Sequence, residues 1–519
     1  MGSLGLDRVM SLMENLPVLT LLIAAPALTG LAIAFLDPER REQIRAVAMG
    51  GALVTFALSL VLLARFQAGE AGFQLEETAQ WIPQWGVTYR LGVDGVSLLL
   101  VALTAFVQPL VILATWNTEL RAKGFFSSLM ILQAALVGVF LALDLVLFYV
   151  MFEVMLVPMY ALIGIWGSGN RHYAALKFFL YTLVGGLLML VGILYLYFAA
   201  GATSFDYDVI RQVELSGTEQ FWLFLAFFAA FAIKVPMWPL HTWLPDAHTE
   251  APTAGSVILA AVMLKIGGYG FLRFSLPVFP DATERLAVPM LVLAVVGVLY
   301  GALVSIVQKD IKRLVAYSSV SHLGFVVLGV FALHSTAGAA SVVQMVNHGL
   351  STGALFLLIG FLYERAHTRE IARYSGLLKS APIFGGLFLV TAMSSIALPG
   401  LNGFVGEFPI LLGTFQTNPW AAVLSTFGVI LAAIYLLWAY QRMFHGPVEG
   451  KAVDFPDLNG REIAVMVPLV ALMIGIGLYP KPLYDRVTPT VEQILAELQA
   501  DDVIAGQRPP QQHQEEPAS

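Results

Sequence analysis

Long apolar runs alternate with short polar connectors over most of the chain. A membrane-spanning helix needs about 20 mostly apolar residues, and fourteen such runs remain when the chain is divided where charges, Pro and Gly cluster. The runs cover residues 17–36, 44–64, 94–116, 125–143, 145–166, 174–200, 221–241, 251–273, 286–307, 314–333, 338–363, 381–414, 419–441 and 462–479. The pattern predicts an all-α polytopic membrane protein with about 14 transmembrane helices.

Composition supports the membrane class and excludes several kinds of site. Of the 519 residues, 58% are hydrophobic and 12% are charged, against about 25% charged residues in soluble domains. The chain has no Cys, which excludes disulfides, iron–sulfur ligation and a thiolate zinc site within it. The net charge of −7 argues against a nucleic-acid partner. We therefore expect the chain to be surrounded by the lipid bilayer.

The Lys and Arg residues of the connectors predict the orientation, because basic residues favour the cytoplasmic side. The odd-numbered connectors carry sixteen of them: Arg40, Arg41, Arg45, Arg121, Lys123, Arg171, Lys309, Lys312, Arg313, Arg365, Arg369, Arg373, Lys379, Arg442, Lys451 and Arg461. The even-numbered connectors carry five: Arg65, Arg90, Arg211, Arg273 and Arg285. We therefore expect both termini to be extracytoplasmic. The first run follows a leader without a small-residue cleavage site, so we expect it to be retained.

Two predicted spans contain residues that interrupt a helix. The seventh contains Lys234-Val-Pro-Met-Trp-Pro239, and the twelfth contains Pro399-Gly400 before Glu407. Interrupted helices at matching places in two halves indicate an inverted-repeat transporter with an ion site near the midplane. We therefore predict two inverted five-helix repeats, each with one broken helix. The alternative is that Pro and Gly are simply common in membrane helices.

These features divide the chain into four predicted segments. They are N-terminal helices with an extracytoplasmic loop at 1–124, a first inverted repeat at 125–273, a second at 286–441, and the last helix with the C-terminal tail at 442–519. Within the first segment, the polar stretch 65–92 suits an extracytoplasmic loop or hairpin. The tail suits a short amphipathic helix around 489–499, followed by disorder.

Four ionisable residues lie well inside predicted spans. They are Glu153, Lys234, Lys265 and Glu407. Each costs roughly 2.5–3.5 kcal/mol at the centre of a membrane helix, so these side chains should pair or line a wet cavity. A Lys–Glu pair with a variable separation can load and release a proton, which favours a proton relay. The alternative is a static ion pair that holds helices together.

Two histidines give the relay a second layer. His322 and His348 lie in the tenth and eleventh spans, near Ser318, Ser321 and Thr352. Imidazole can pass a proton between its two nitrogens, which suits a hydrogen-bonded chain between the Lys sites. Two alternatives remain: the histidines could be axial ligands of a haem, or hydrogen-bonded core residues without a function.

Two motifs identify a resemblance to a known family. The run from Lys234 to His248, followed by Glu250-Ala-Pro-Thr253, and the run Lys265-Ile-Gly-Gly-Tyr-Gly270 resemble the antiporter-like subunits of respiratory complex I. Related subunits occur in multisubunit sodium/proton antiporters and membrane-bound hydrogenases. The resemblance extends from about residue 90 to 445. At the position of Glu407, the L and N subunits usually carry Lys and M subunits carry Glu, so the sequence resembles the M branch.

The resemblance implies a role for each candidate residue. It implies a coupling acid at Glu153, its Lys partner at Lys234, a central Lys at Lys265, connecting histidines at His322 and His348, and an exit-side acid at Glu407. It implies a proton-translocating subunit of an NADH:quinone oxidoreductase in a bacterial inner membrane. No cofactor is expected in this chain, and FMN, iron–sulfur clusters and quinone are expected in partner subunits.

The partners implied are other membrane subunits of complex I, especially the L and N antiporter-like subunits. The open alternatives are a subunit of a cation/proton antiporter or membrane-bound hydrogenase, a haem-bearing electron carrier, and a passive helical scaffold. A Na⁺ site needs several clustered oxygen ligands, whereas Glu153 and Glu407 lie on different helices. The carboxylates therefore favour protons over sodium.

Overall fold

A computed structural model describes residues 16–507. The α-helices are α1 Val18–Phe35, α2 Arg41–Arg65, α3 Gly95–Ala114, α4 Ala122–Leu141, α5 Leu145–Val154, α6 Leu156–Trp166, α7 Arg171–Ala199, α8 Tyr207–Ile210, α9 Gly217–Lys234, α10 Trp243–Glu250, α11 Thr253–Ile258, α12 Lys265–Gly270, α13 Leu276–Val278, α14 Pro280–Ile306, α15 Ile311–Phe331, α16 Ser335–Ala366, α17 Leu377–Ser380, α18 Pro382–Ser395, α19 Asn402–Thr417, α20 Pro419–Phe444, α21 Gly460–Leu478 and α22 Lys481–Gln507. The strands are β1 Gln74–Ile82, β2 Val87–Val93, β3 Tyr374–Ser375 and β4 Glu449–Gly450. The all-α membrane fold is therefore confirmed.

Twelve helical stretches within residues 16–507 are long and apolar enough to cross a membrane. The other two predicted spans correspond to α9, which has polar residues in its first and last turns, and to the pair α18 and α19. The helices α15 and α16 are buried almost throughout, whereas many side chains of α7 and α20 face outward. The total of fourteen crossings stays a prediction.

Both predicted interruptions are present. The seventh span ends at Lys234 rather than at 241, because Pro236 has no N–H and its ring clashes with the preceding turn. The twelfth span is divided between α18 and α19, with Gly400 in the left-handed region at a φ of +92°. Each set of five predicted spans has its broken helix in fourth place. That order agrees with the repeats, and their inverted relation remains a prediction.

Two further irregular helices were not predicted. The fifth span is divided at Met155, because Pro158 cannot donate to the carbonyl one turn earlier. The eighth span contains two π-helical turns, Leu259–Met263 and Phe271–Ser275, on either side of α12. Such turns are frequent at functional sites. Lys265, a predicted site residue, begins the α-helical turn between them.

The polar stretch after α2 forms an antiparallel hairpin of β1 and β2. Glu77 accepts hydrogen bonds of 2.9 Å from the backbone N–H groups of Leu19 and Thr20, at the start of α1. Arg90 forms ion pairs with Glu76 and with Asp206, which lies just before α8. The hairpin is thus fixed to the first turn of α1 and to the connector that precedes α8.

The predicted tail helix at 489–499 is too short. The helix α22 spans Lys481–Gln507 and includes Pro489, which the prediction treated as a boundary. Val487, Val491 and Ile494 are buried, so packing against the bundle stabilises the helix across the proline. Residues 508–519, part of the segment predicted to be disordered, lie outside the described residues.

Candidate functional site: a buried polar chain

Lys265 and His348 form the first half of a polar chain inside the helical bundle. Both side chains are buried, at 0% and 2% exposure. The Nζ atom of Lys265 shares a hydrogen bond of 2.7 Å with Nδ1 of His348 on α16, and it also donates to the carbonyl of Ala260 in the first π-helical turn. Lys265 is therefore held between an imidazole and a backbone carbonyl, and no carboxylate within residues 16–507 pairs with it.

His322 and Glu407 form the second half. His322 Nδ1 shares a hydrogen bond of 2.6 Å with Oε1 of Glu407, which also accepts one of 2.8 Å from Gln344 Nε2. The hydroxyl of Tyr435 lies 3.1 Å from His322 Nε2. Glu407 is 1% exposed, so all its contacts are made inside the protein.

The two halves meet at the histidines. The ring centroids of His322 and His348 lie 6.0 Å apart. His348 Nε2 and Glu407 Oε2 have no hydrogen-bond partner among the described residues. Unpartnered polar atoms this deeply buried are the kind that internal water satisfies. Four predicted residues, Lys265, His348, His322 and Glu407, thus form one line from the eighth to the twelfth span.

Hydrogen bonds between neighbouring helices position the end of this line. Asn347 on α16 donates to the carbonyl of Asn402 at 2.7 Å, and Asn402 Nδ2 donates back to the carbonyl of Asn347 at 3.3 Å. Ser394, near the end of α18, donates to Asn402 Oδ1. These bonds join α19 to α16 and, across the break in the twelfth span, α18 to α19; Glu407 follows five residues after Asn402 in α19.

Lys234 and Glu153, the other two predicted residues, lie in a different environment. Lys234 is 1% exposed, and its Nζ lies 4.8 Å from the ring centroid of Phe152 and 5.7 Å from that of Phe178. Neither Lys234 Nζ nor Glu153 Oε1 has a hydrogen-bond partner within residues 16–507. The expected pair is therefore not in direct contact in this structure, and aromatic ring faces stabilise the ammonium group instead.

Sequence patterns missed several polar residues around the site. His248, the last residue of the motif that begins at Lys234, is fully buried and lies parallel to the Phe356 ring at 4.7 Å. Neither of its ring nitrogens is hydrogen-bonded to the described residues. Lys312 was counted as a connector residue, but it is 7% exposed and donates to the carbonyl of Ala251 at 2.5 Å. A cavity of about 320 Å³, lined in part by Lys312 and Glu250, lies beside them.

Arg273 was also counted as a connector residue. It is 4% exposed and forms an ion pair with Asp94, the capping residue of α3. Its guanidinium carbon lies 4.7 Å from the ring centroid of Phe73. A charge that ends an apolar run and a charge buried within the bundle are alike in sequence, so the pattern could not distinguish them.

The geometry disfavours the haem alternative. Both ring nitrogens of His322 are hydrogen-bonded, one to Glu407 and the other to Tyr435, so neither is free to ligate iron. Within residues 16–507, no group of three or more Asp, Glu, Cys or His residues could hold a metal ion. The arrangement instead suits the passage of protons between titratable side chains.

Comparison with known proteins identifies the family. The family described as NADH:quinone oxidoreductase/Mrp antiporter, transmembrane, matches residues 142–434, which include all six predicted site residues. The chain belongs to this family. It is 46% identical over 503 residues to the NADH-quinone oxidoreductase subunit M of Rhodobacter capsulatus, a match that covers 94% of this chain and 98% of the relative.

Further matches within the NADH:quinone oxidoreductase/Mrp antiporter family agree. The chain is 42% identical to the NADH-ubiquinone oxidoreductase chain 4 of Arabidopsis thaliana over 477 residues, which are 91% of this chain and 96% of the relative. A chain in the structure of respiratory complex I from Thermus thermophilus with bound NADH superimposes with a TM-score of 0.85 at 33% identity, covering 93% of this chain and 100% of that one. The resemblance to the M branch, inferred from Glu407, is confirmed.

Proposed function

We propose that this chain is a proton-translocating membrane subunit of an NADH:quinone oxidoreductase. The observation that carries the proposal is the buried line Lys265, His348, His322 and Glu407, held by hydrogen bonds of 2.7 and 2.6 Å at its two ends. Four titratable groups inside an apolar bundle are costly. A proton path explains why they are grouped along one line.

In this proposal, each residue of the line has a distinct role. Lys265 holds a proton that passes to His348 through their shared hydrogen bond. Water and the Tyr435 hydroxyl bridge the gap between the imidazole rings. His322 takes up a proton at Nε2 and releases the one on Nδ1 to Glu407. Lys234 and Glu153 form an input pair whose separation controls loading. Protons enter from the cavity beside Lys312 by way of buried His248, which is close enough to both Lys312 and Lys265 to interact with their charges.

We also propose where the chain lies and which subunits it contacts. The chain lies in a bacterial inner membrane with both termini extracytoplasmic, beside the L and N antiporter-like subunits. It holds no cofactor of its own, and redox chemistry on FMN, iron–sulfur clusters and quinone takes place in the partner subunits. The Lys and Arg distribution supports this orientation, and the relatives' names support the setting.

The test is to purify the assembled complex through this chain and identify its subunits by mass spectrometry. Inverted vesicles that contain the complex should take up protons when NADH reduces quinone. His348→Ala should abolish most of this uptake, whereas His172→Ala, at an exposed position of α7, should not change it. Cation exchange without NADH oxidation, or a complex without NADH- and quinone-binding subunits, would indicate the antiporter alternative.

A further inference from the structure

The helix α7 lies between the helices that carry Glu153 and Lys234, and it meets both at two adjacent glycines. A Cβ atom built on Gly186 would overlap with Oε1 of Glu153, and it would lie 3.6 Å from Cε1 of Phe152. The carboxylate of Glu153 therefore occupies the space that any larger residue at 186 would fill.

Gly185 makes the corresponding contact on the other side of α7. A Cβ atom built there would lie 3.0 Å from the Cα atom of Ala230, 3.0 Å from Cδ1 of Ile233 and 3.1 Å from the carbonyl oxygen of Ala229. Two of these atoms belong to the backbone of α9, so they cannot move aside as a flexible side chain can. Ile233 directly precedes Lys234, so this contact fixes how close α7 and the lysine can lie.

The aromatic rings near Lys234 complete the arrangement. The ammonium group lies over the ring of Phe178, two turns before the glycines on α7, and over the ring of Phe152. Phe152 is also the chain neighbour of Glu153 and approaches Gly186. The same short section of α7, at Gly185 and Gly186, therefore packs against the Glu153 carboxylate, the Phe152 ring and the helical turn that carries Lys234.

We infer that Gly186, supported by Gly185, is a positioning residue that sets the separation of Glu153 from Lys234. The inference rests on the proposed function, because the separation matters only if the two residues exchange or control a proton. A side chain at 186 would push the carboxylate away from its present position. The carboxylate of Glu153 would then lie at a different distance from Lys234, and proton loading of this pair would fail.

The experiment is a double-mutant cycle in the assembled complex. Gly186→Ala should lose coupled proton uptake, because the new methyl group takes the space of the carboxylate. Glu153→Asp shortens the acid by one methylene and so removes the overlap; because it keeps the charge, we expect it to retain part of the coupled proton uptake. The double variant should therefore match Glu153→Asp alone, so that Gly186→Ala costs activity with Glu at 153 and costs nothing with Asp. The control is Gly297→Ala, because a Cβ at 297 meets no atom within 4 Å.

Assembly on native gels, NADH oxidation with quinone and proton uptake into inverted vesicles are measured for each variant. If Gly186→Ala prevents assembly, the Asp substitution should restore it, because the same overlap is relieved. Full proton uptake in Gly186→Ala, or less uptake in the double variant than in Glu153→Asp alone, would overturn the inference. Failure of the proposed function would give a different result. Glu153→Gln, which keeps the side-chain length, would then pump protons normally, although Gly186→Ala would still impair assembly with Glu at 153 and not with Asp.

Discussion

Glu153 offers the most direct test at the scale of a single residue. Gln has nearly the same volume as Glu, so Glu153→Gln should leave the subunit folded and assembled. It removes the only acidic partner that the proposal gives Lys234, so coupled activity should be abolished. Quinone reduction by NADH and proton uptake into inverted vesicles would be measured together, with Glu449→Gln at an exposed position as the control. Near-normal pumping in Glu153→Gln would mean that the pair is only structural.

Tyr435 provides a milder test of the histidine that it contacts. Its hydroxyl lies 3.1 Å from His322 Nε2, and the loss of one neutral hydrogen bond is worth about 1 kcal/mol. We expect Tyr435→Phe to lower the number of protons pumped per NADH without preventing assembly, since His322 keeps its bond to Glu407. Tyr440→Phe is the matched control, because that hydroxyl donates to the carbonyl of Gly385 instead. Equal pumping by both variants would remove Tyr435 from the site.

Charge made some site residues visible in the sequence and left others hidden. A buried Lys, Glu or His stands out in an apolar run because it is costly there. Gln344 and Tyr435 do not stand out, because neutral polar residues also occur on membrane helices without a function. Their roles depend on which face of α16 and α20 they occupy, and only the packing of the helices determines that.

At the scale of an element, the break in the twelfth span depends on Asn402. Its side chain accepts from Ser394 and donates to the carbonyl of Asn347. Asn402→Ala removes both bonds inside the bundle, at a cost on the order of 1–3 kcal/mol for each group left unsatisfied. The assembled complex should lose this subunit at a lower temperature, as followed on native gels after heating. Asn170→Ala is the control, since Asn170 is exposed and makes no side-chain capping bond. If both variants lose the subunit at the same temperature, the role of Asn402 is contradicted.

Helix boundaries show where local patterns suffice for prediction and where they fail. The helix α14 begins at Pro280, before the predicted start at 286, because proline suits the first helical position. The helix α22 continues through Pro489 because its buried face packs on the bundle. The π-helical turns beside Lys265 follow no pattern in the sequence. Apolar length therefore predicted the spans, whereas tertiary packing decided their ends and irregular turns.

At the scale of the whole molecule, the distribution of Lys and Arg predicts the orientation of the chain in the membrane, and thiol labelling can test it. The absence of Cys from the chain means that a single introduced Cys is the only labelling site. Glu370 and Glu70 are both exposed, and the Lys and Arg distribution assigns them to opposite sides of the membrane. A membrane-impermeant thiol reagent should label Glu70→Cys in intact cells. It should label Glu370→Cys only after the membrane is opened.

Both variants should retain NADH-driven proton uptake, which verifies that each labelled chain is in the native complex. Lys309 and Arg369 line a cavity together with Glu370, and Arg373 forms an ion pair with it. The side of the membrane on which position 370 lies therefore also fixes the side of the basic connectors and of the cavity that Arg369 and Lys312 line. In the proposed relay, that cavity admits protons from the cytoplasm. Labelling of Glu370→Cys in intact cells would reverse the topology and turn the proposed proton entrance into an exit.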